Sequence, residues 1–242
     1  MSEGIISKSD QLNELVAAAH ELKTPLTIIA HLAAAIQDEA LELSIAEQKT
    51  ALQRIRLSAD RTLRLVQGLT TSYRLEHDDQ LAFHFALEPL NIAQLCEEVA
   101  QEILPFAAAQ SQSLELQVGR AQLIVGNSDL ARSVLFNLLD NAIRHNPPDT
   151  KVRLAMRRRQ EVVRVCVQDN GPGFNPNDFR RLRQTLGRLA QPLQGRSSSS
   201  GLGLYIAGEM AAAMGGKLGV GSAKQGADFH VDFLHSKQLS FL

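Results

Sequence analysis

The sequence lacks the features that mark secreted and membrane-spanning proteins. Its 242 residues include two cysteines, Cys96 and Cys166, which are too few for a disulfide framework and are typical of a reducing compartment. No apolar run approaches the roughly 18 to 20 residues that cross a bilayer, and the polar start MSEGIISKSD is not that of a signal peptide. We expect a soluble, cytoplasmic chain without membrane contact of its own; if it is a fragment, the full-length protein could be membrane-anchored.

An excess of charge of one sign is also missing. The 25 Lys and Arg residues nearly balance the 26 Asp and Glu residues, for a net charge of −1. Because nucleic-acid binders carry a basic surface, we expect no nucleic-acid partner, and any anion site must be local. The hydrophobic fraction of 44% is enough for a packed core, and the chain is long enough for two small domains.

Two long helical segments open the chain. In each, apolar residues recur at alternating steps of three and four, which is typical of a helical seam. The first seam is Leu12, Leu15, Ala19, Leu22, Leu26, Ile29, Ala33 and Ile36; the second is Leu52, Ile55, Ala59, Thr62, Val66, Leu69 and Tyr73. The stretch from Leu43 to Gln48 can turn the chain back, which predicts an antiparallel hairpin. Because one hairpin has too little to pack against, two copies are expected to form a dimeric four-helix bundle.

The pattern after His77 alternates helices with short strands. Asn91 is placed to cap a helix that runs to about Gln110, and Ser128 to cap another that ends at two prolines. Strands are predicted at residues 114–118, 151–157, 161–168 and through Phe229, and a further helix near residues 204–214. Helices on one face of a mixed or antiparallel sheet form an α+β sandwich. We therefore predict a helical hairpin domain in residues 1–80 and an α+β domain in residues 81–242.

The stretch AAAHELKTPLTII sets a histidine and a proline into the first helical segment. Because Ala19 and Leu22 lie on the seam, His20 is expected just outside the core, with Thr24 one turn later on the same face. The adjacent Glu21 can accept a proton from a reactive imidazole if it bonds the other ring nitrogen. On local sequence alone, an ordinary helix-surface histidine is the better interpretation.

A polar stripe marks the helix that ends at the prolines. Asn137, Asn141 and Arg144 or His145 recur at helical spacing, opposite an apolar face. An asparagine oxygen is a suitable ligand for Mg²⁺, and arginine neutralises phosphate charge, so the stripe suits a phosphate–metal assembly. An ordinary solvated helix face explains the stripe equally well in isolation.

Two glycine motifs follow the stripe. In QDNGPGF, Asp169 stands at a strand end, where its carboxylate can accept a hydrogen bond from an exocyclic amine, and Gly171 and Gly173 let the backbone approach a flat ring. In SSSSGLGL, Gly201 and Gly203 sit at the start of a helix, where N–H groups and the dipole favour phosphate. Each motif alone is weak, because D-N-G is also a common turn. Their order along the chain is the stronger signal.

Taken in order, these motifs resemble those of the bacterial sensor histidine kinases of two-component signalling. HELKTPL (His20–Leu26) is similar to the family's phospho-acceptor box and NLLDNAIRH (Asn137–His145) to its N box. DNGPG (Asp169–Gly173) is similar to the G1 box and GLGL (Gly201–Leu204) to the G2 box. The resemblance spans residues 8 to 235. It implies a dimeric four-helix bundle joined to a Bergerat-type ATP-binding α/β sandwich.

The resemblance also implies roles for single residues. His20 would be autophosphorylated by ATP, Glu21 would accept its proton, and Thr24 would orient a water that dephosphorylates the partner regulator. Asn141 would hold Mg²⁺ and Asp169 would read the adenine amino group. The other implied nucleotide contacts are Asn137, Arg144, His145, Gly171, Gly173, Gly201, Leu202 and Gly203. The phosphoryl group would pass from His20 to an aspartate of a response regulator receiver domain.

The segment between the G1 and G2 boxes departs from the family pattern. It should form the ATP lid, but Phe179 is its best candidate for an F box, and serines precede the G2 box where glycines are common. Its arginines, which we expect to be mostly solvated, are Arg181, Arg183, Arg188 and Arg196. Two other functions stay open: an ATPase in which ATP gates a conformational clamp, and a degenerate scaffold that binds nucleotide or regulator without chemistry.

Overall fold

A computed structural model describes residues 8–38, 41–77, 85–173, 180, 201–221 and 225–236. Contacts between Cα atoms divide the chain into two compact units. One unit is Met1–Thr70 with Leu189–Leu202, and the other is Thr71–Arg188 with Gly203–Leu242. The predicted domain boundary at residue 80 stays a prediction. Within the described ranges, no helix is both long and apolar enough to cross a membrane.

Two long helices form the first part of the chain. Helix α1 spans Lys8–Gln37 and helix α2 spans Ile45–His77. Pro25 is buried inside α1, which is assigned as one continuous helix across it. A capping box begins α2: the Ser44 hydroxyl accepts from the Glu47 N–H at 3.3 Å, and the Glu47 carboxylate accepts from the Ser44 N–H at 2.9 Å.

The two helices form the predicted antiparallel hairpin. Arg61 Nη2 on α2 lies 3.2 Å from Glu21 Oε2 on α1. The two residues lie equally far before and after Leu41 in the connection, which is the pairing that an antiparallel hairpin requires.

The predicted seam of α2 does not form the buried side of the hairpin. Ala51 and Leu65 are only 8% and 6% exposed, whereas their seam neighbours Leu52 and Val66 are 56% and 44% exposed. On the first helix, the seam residue Leu26 is also 51% exposed. The buried side of α2 is therefore displaced by one residue from the predicted seam, and the seam itself keeps exposed apolar side chains.

The second part of the chain is an α+β sandwich, as predicted. Its helices are α3 (Ile92–Ala109), α4 (Ser128–Arg144) and α5 (Leu202–Ala213). Its strands are β1 (Glu88–Asn91), β2 (Ser113–Gln117), β3 (Leu123–Gly126), β4 (Lys151–Arg159), β5 (Val162–Asp169), β6 (Lys217–Gly221) and β7 (Asp228–Leu234). Five strands form a mixed sheet in the order β2-β4-β5-β7-β6, in which only the β2–β4 pair is parallel. Strands β1 and β3 form a separate antiparallel pair.

The core lies on one face of the five-stranded sheet. Val163, Val165 and Val167 of β5 alternate inward, and each is fully or almost fully buried. Their cross-strand partners on β7 are Phe233, Val231 and Phe229, which are equally buried. Because β5 and β7 are neighbours, the ends of these two strands also meet, and this brings the G1 turn after β5 against the turn before β7.

The structure corrects the predicted start of α4. The N-cap is Asn127 rather than Ser128: its carboxamide oxygen accepts from the N–H groups of Asp129 at 3.0 Å and Leu130 at 3.2 Å. Asn91 caps α3 as predicted, since its side chain accepts two N–H groups of the first turn.

Candidate active site

Asp169 lies at the end of β5 with its carboxylate held by the backbone. Its Oδ1 accepts hydrogen bonds from the N–H of Gly171 at 3.0 Å and from the N–H of Ala227 at 3.2 Å. The residue is buried, at 9% exposure. Its second oxygen, Oδ2, accepts no hydrogen bond from the described residues. The carboxylate is thus oriented through one oxygen and can accept a donor from a ligand through the other.

Glycines around Asp169 allow neighbouring atoms to come closer than they could if these positions carried a side chain. A Cβ added at Gly171 would lie 1.7 Å from Asn146 Oδ1. Gly173 has a φ of +65°, and its Cβ would lie 2.6 Å from the carbonyl oxygen of Gly226. Gly226 has a φ of +78°, and its Cβ would lie 1.8 Å from the carbonyl oxygen of Asp169. Gly173 therefore packs against a third glycine, Gly226, in the turn before β7, whereas Gly171 leaves room for the Asn146 side chain.

The polar stripe of α4 faces the start of α5. Asn137 and Asn141 are half-buried, opposite the buried apolar side of the helix. The Asn137 Nδ2 donates to the carbonyl oxygen of Ser133 at 2.8 Å. Its Oδ1 would lie 3.3 Å from a Cβ at Gly203, so the N box and the G2 box are in contact here. The structure brings these two predicted motifs together.

The G2 segment turns the chain into α5. Gly201 has a φ of +75°, and no described atom lies within 4 Å of where its Cβ would be. Leu202 follows as the first helical residue and is fully buried. The N–H groups of the first helical turn have no intrahelical partner, and together with the helix dipole they favour an anion. Leu202 thus anchors the helix start in the core, while the glycines leave the backbone accessible.

Arg144 and His145 lie at the other end of α4. Both are half-buried, and His145 is the C-cap, with its N–H donating to the carbonyl oxygen of Asn141 at 3.3 Å. The two residues are therefore one turn further along the helix than Asn141, as the stripe predicted.

Three residues that position this site were missed in the sequence. Gln112 is buried, and its Nε2 lies 2.9, 2.8 and 3.1 Å from the carbonyl oxygens of Ile143, Asn146 and Pro147, so that its two N–H groups serve the end of α4 and the turn after it. Asn146 and Gly226 contact Gly171 and Asp169, respectively. Asn146 could have been noticed as an asparagine just after α4, and Gly226 as a glycine just before the last strand. Nothing in the sequence near Gln112 distinguishes it from an ordinary surface glutamine.

The site suits a divalent cation that arrives with its nucleotide. The Asn141 carboxamide makes no hydrogen bond to the described residues. In the described part of the chain, no group of three or more His, Cys, Asp and Glu residues is placed to hold a metal. A cation here would therefore take one amide oxygen from the chain and its other ligands from phosphate and water, which is how Mg²⁺ is usually bound in nucleotide sites. The donor set fits Mg²⁺.

The predicted phospho-acceptor residues lie on α1. His20 and Thr24 are exposed, and the Thr24 hydroxyl donates to the carbonyl oxygen of His20 at 3.4 Å. Glu21 is buried and forms the ion pair with Arg61. Sequence reasoning missed Arg61, because nothing in ADRTLRL distinguishes it from a solvated arginine. These residues belong to one compact unit, and Asn137, Asn141 and Asp169 belong to the other.

The two cysteines are core residues. Both are buried and free. Burial raises the pKa of Cys96 to about 12, and burial together with the charge of Asp228 raises the pKa of Cys166 to about 11. Neither thiol is therefore a nucleophile at neutral pH, and both side chains serve as small apolar residues of the core. The lid candidates Phe179, Arg181, Arg183, Arg188 and Arg196 lie outside the described residues.

Two domain families match this chain. Residues 10–78 match the His Kinase A (phospho-acceptor) domain. Residues 126–238 match the histidine kinase-, DNA gyrase B- and HSP90-like ATPase. The first match contains α2 and the described phospho-acceptor residues, and the second contains the N, G1 and G2 motifs.

Relatives and solved structures agree with these matches. The adaptive-response sensory kinase SasA of Synechocystis sp. is 30% identical over 235 residues, which cover 93% of this chain and 59% of that kinase. The fold is similar to that of the Acinetobacter baumannii histidine kinase AdeS (TM-score 0.59, 21% identity, 90% of this chain and 98% of that chain). It is also similar to full-length ShkA in complex with AMPPNP (TM-score 0.60, 23% identity, 93% of this chain and 45% of that chain). This chain spans about half the length of the curated relatives that it matches. From its two domain matches and these relatives, the chain belongs to the sensor histidine kinase family.

Proposed function

We propose that this chain is an ATP-dependent protein-histidine kinase that phosphorylates its own His20 and passes the phosphoryl group to an aspartate of a response regulator receiver domain. One observation carries the proposal. The same chain presents an exposed histidine within the phospho-acceptor match and a buried strand-end carboxylate, with one uncommitted oxygen, within the ATPase match. The first supplies an acceptor and the second a nucleotide site.

The nucleotide site binds ATP through its base and its phosphates. Asp169 Oδ2 accepts a hydrogen bond from the adenine amino group. Gly171 and Gly173 have no side chains, so the backbone can approach the flat adenine ring. The phosphates lie towards Asn137, Arg144 and the start of α5 at Gly201, Leu202 and Gly203. His145 packs near the nucleotide. The bound AMPPNP of the structurally similar ShkA supports ATP as the nucleotide.

Asn141 would hold Mg²⁺ through its carboxamide oxygen, and the phosphates of the nucleotide would supply further ligands. When bound, it neutralises charge on the phosphate oxygens. Residues of the chain stabilise the remaining charge. Arg144 adds a positive charge, and the N–H groups in the first turn of α5 stabilise the negative charge that develops on the phosphate oxygens without having to reorient.

Phosphoryl transfer takes place in line at His20. A neutral ring nitrogen attacks the γ-phosphorus, so that an N–P bond forms and the bond to the β–γ bridging oxygen breaks. ADP leaves with that electron pair, and Glu21 accepts the proton of the other ring nitrogen. In the next step a receiver aspartate oxygen attacks the same phosphorus, the N–P bond breaks with its electron pair returning to the ring nitrogen, and the other ring nitrogen regains a proton, so that His20 leaves as neutral imidazole. Thr24, exposed one turn from His20, orients the water that hydrolyses the phosphorylated regulator.

Labelling with γ-labelled ATP and Mg²⁺ tests this function. We expect an acid-labile, alkali-stable label on the wild-type chain and none on His20→Gln. His31→Gln is the matched control, because His31 is an exposed histidine on the same helix, and it should label like the wild type. ATP turnover without label would favour a conformational clamp, and neither label nor turnover would favour a scaffold.

Asp169→Asn tests the nucleotide site in the same assay. The asparagine oxygen must accept the hydrogen bonds from both backbone N–H groups, so its Nδ2 lies towards the adenine amino group. Both of these groups are donors, and no hydrogen bond forms between them. We expect the KM for ATP to rise at least about tenfold, since an unpaired donor costs about 1–3 kcal/mol. An unchanged KM would exclude Asp169 as the adenine contact.

A further inference from the structure

His20 and Glu21 are neighbours in sequence but lie in different environments. His20 is exposed, whereas the side chain of Glu21 is 7% exposed and lies on the inner side of the hairpin. Successive residues of an α-helix point about 100° apart, so this difference follows from their places on α1. The proposed proton acceptor and the proposed phosphate acceptor therefore face different sides of the helix.

Glu21 is held there by a charge on the opposite helix. Arg61 Nη2 donates to Glu21 Oε2 at 3.2 Å, and the Arg61 side chain is only 12% exposed. A carboxylate that is removed from water needs such a partner, because an uncompensated buried charge is strongly unfavourable. The guanidinium also presents several N–H donors in a fixed fork, which makes it a strong competitor for carboxylate oxygens.

The ion pair and the chemistry compete for the same carboxylate. For His20 to be phosphorylated, Glu21 must accept the proton of the second ring nitrogen while the N–P bond forms and ADP leaves. An oxygen that already accepts from Arg61 is less available for that proton, and a side chain held inside the hairpin is not beside the imidazole. Opening the pair, by a shift of α2 against α1, releases Glu21 to the exposed side of α1.

We propose that Arg61 is a positioning residue that withholds Glu21 from His20, so that the relative position of α1 and α2 sets the rate of autophosphorylation. The inference rests on the proposed function, since it assigns Arg61 a part in the phosphorylation of His20. It identifies a point inside the hairpin at which a movement of one helix against the other changes the chemistry.

Initial rates of His20 labelling in the full chain test the proposal. Arg61→Met removes the charge and keeps much of the side-chain volume. We expect it to raise the rate at saturating ATP at least about threefold, a modest part of what a general base contributes. The KM for ATP should not change, because Arg61 belongs to the helical unit. Arg56→Met is the matched control: Arg56 is an exposed arginine on the same helix, paired with Asp60, and its rate should equal that of the wild type.

A second background separates this role from a structural one. In Glu21→Gln the carboxylate is absent, so Arg61→Met should no longer change the rate. If Arg61 only stabilised the hairpin, its replacement would alter the rate equally in both backgrounds, and that result would overturn the proposal. A lower rate in Arg61→Met with Glu21 present would overturn it as well.

Two further results keep the test decisive. If Arg61→Met does not fold, as circular dichroism will show, Arg61→Gln retains a donor for Glu21 without the charge and should raise the rate to a smaller extent; an unchanged or lower rate contradicts the proposal. The wild-type label reports on the proposed function separately. If the wild-type chain takes up no label, both the proposed kinase activity and the role of Arg61 are rejected. If the wild type is labelled but Arg61→Met does not change the labelling rate, only the role of Arg61 is rejected.

Discussion

At the scale of single residues, the nucleotide site depends more on missing side chains than on present ones. Gly173 and Gly226 allow the backbone on either side of Asp169 to approach closely, and Gly171 leaves room for the Asn146 side chain. Two backbone N–H groups then orient the Asp169 carboxylate. A ligand-reading carboxylate is thereby held by main-chain atoms, which vary little in position. The geometry is preorganised because the strands that carry it are paired.

Gly226→Ala tests this dependence. The substitution strains a backbone at φ +78° and sets a methyl group 1.8 Å from the carbonyl oxygen of Asp169. We expect it to lower the free energy of unfolding by at least about 3 kcal/mol and to weaken ATP binding, because Asp169 must move. Gly119→Ala is the control: Gly119 has a φ of +66°, but none of the described atoms lies within 4 Å of where its Cβ would be. The substitution should therefore cost only the backbone strain of about 1–2 kcal/mol. Urea denaturation measures both, and equal losses would contradict the steric argument.

At the scale of elements, the N-terminal caps of α3 and α4 show how local hydrogen bonds help to position the residues of a site. Each helix begins at an asparagine whose side chain accepts two N–H groups of the first turn. Because α4 has nine buried residues on one side, the position of its first turn also sets which residues point away from the core. Asn137 and Asn141 are on that polar side, and a well-defined helix start keeps them there.

Asn127→Ala tests the corrected cap. Loss of both hydrogen bonds should destabilise the chain by about 1 kcal/mol, the usual cost of removing an asparagine N-cap. Ser128→Ala removes the hydroxyl of the next residue, which the sequence alone had suggested as the cap, and should change stability by less than about 0.5 kcal/mol. The urea midpoints of the two variants decide between the residues. A larger loss in Ser128→Ala would restore the original assignment.

At the scale of the whole molecule, the hairpin leaves apolar surface that a second copy can cover. Leu26, Leu52 and Val66 belong to the predicted seams but remain about half exposed, while the buried positions of α2 include Ala51 and Leu65. Each helix thus has an inner side within the hairpin and a separate apolar seam. We expect two hairpins to bury these seams in a four-helix bundle, since exposed apolar stripes of this kind usually mark an interface.

Val66→Glu tests the dimer. A charge in the middle of the seam must be buried without a partner, so we expect the dissociation constant of the dimer to rise at least about a hundredfold. Gln67→Glu adds the same charge at the next residue, which is exposed and lies off the seam, and should leave the dimer intact. Sedimentation equilibrium distinguishes monomer from dimer. A monomeric wild type, or equal weakening in both variants, would contradict the predicted bundle.

The sequence by itself determined the types of elements and the presence of the four motifs. Helical and strand periods are local properties, so the two long helices and the alternation of Val163, Val165 and Val167 could be recognised without any knowledge of the fold. The caps followed the same local logic, and the error of one residue at Asn127 arose because asparagine and serine are both good caps. The motif order then sufficed to predict the family.

Only the tertiary structure decided which atoms meet. The contact of Gly226 with Asp169 depends on the pairing of β5 with β7, and the contact of Asn137 with Gly203 depends on the packing of α5. The ion pair between Glu21 and Arg61 depends on the antiparallel turn between the helices, and it changed the interpretation of Glu21 from a neighbour of His20 to a buried partner of Arg61. Such contacts join residues far apart in the chain, and their geometry follows from the global fold rather than from any local pattern.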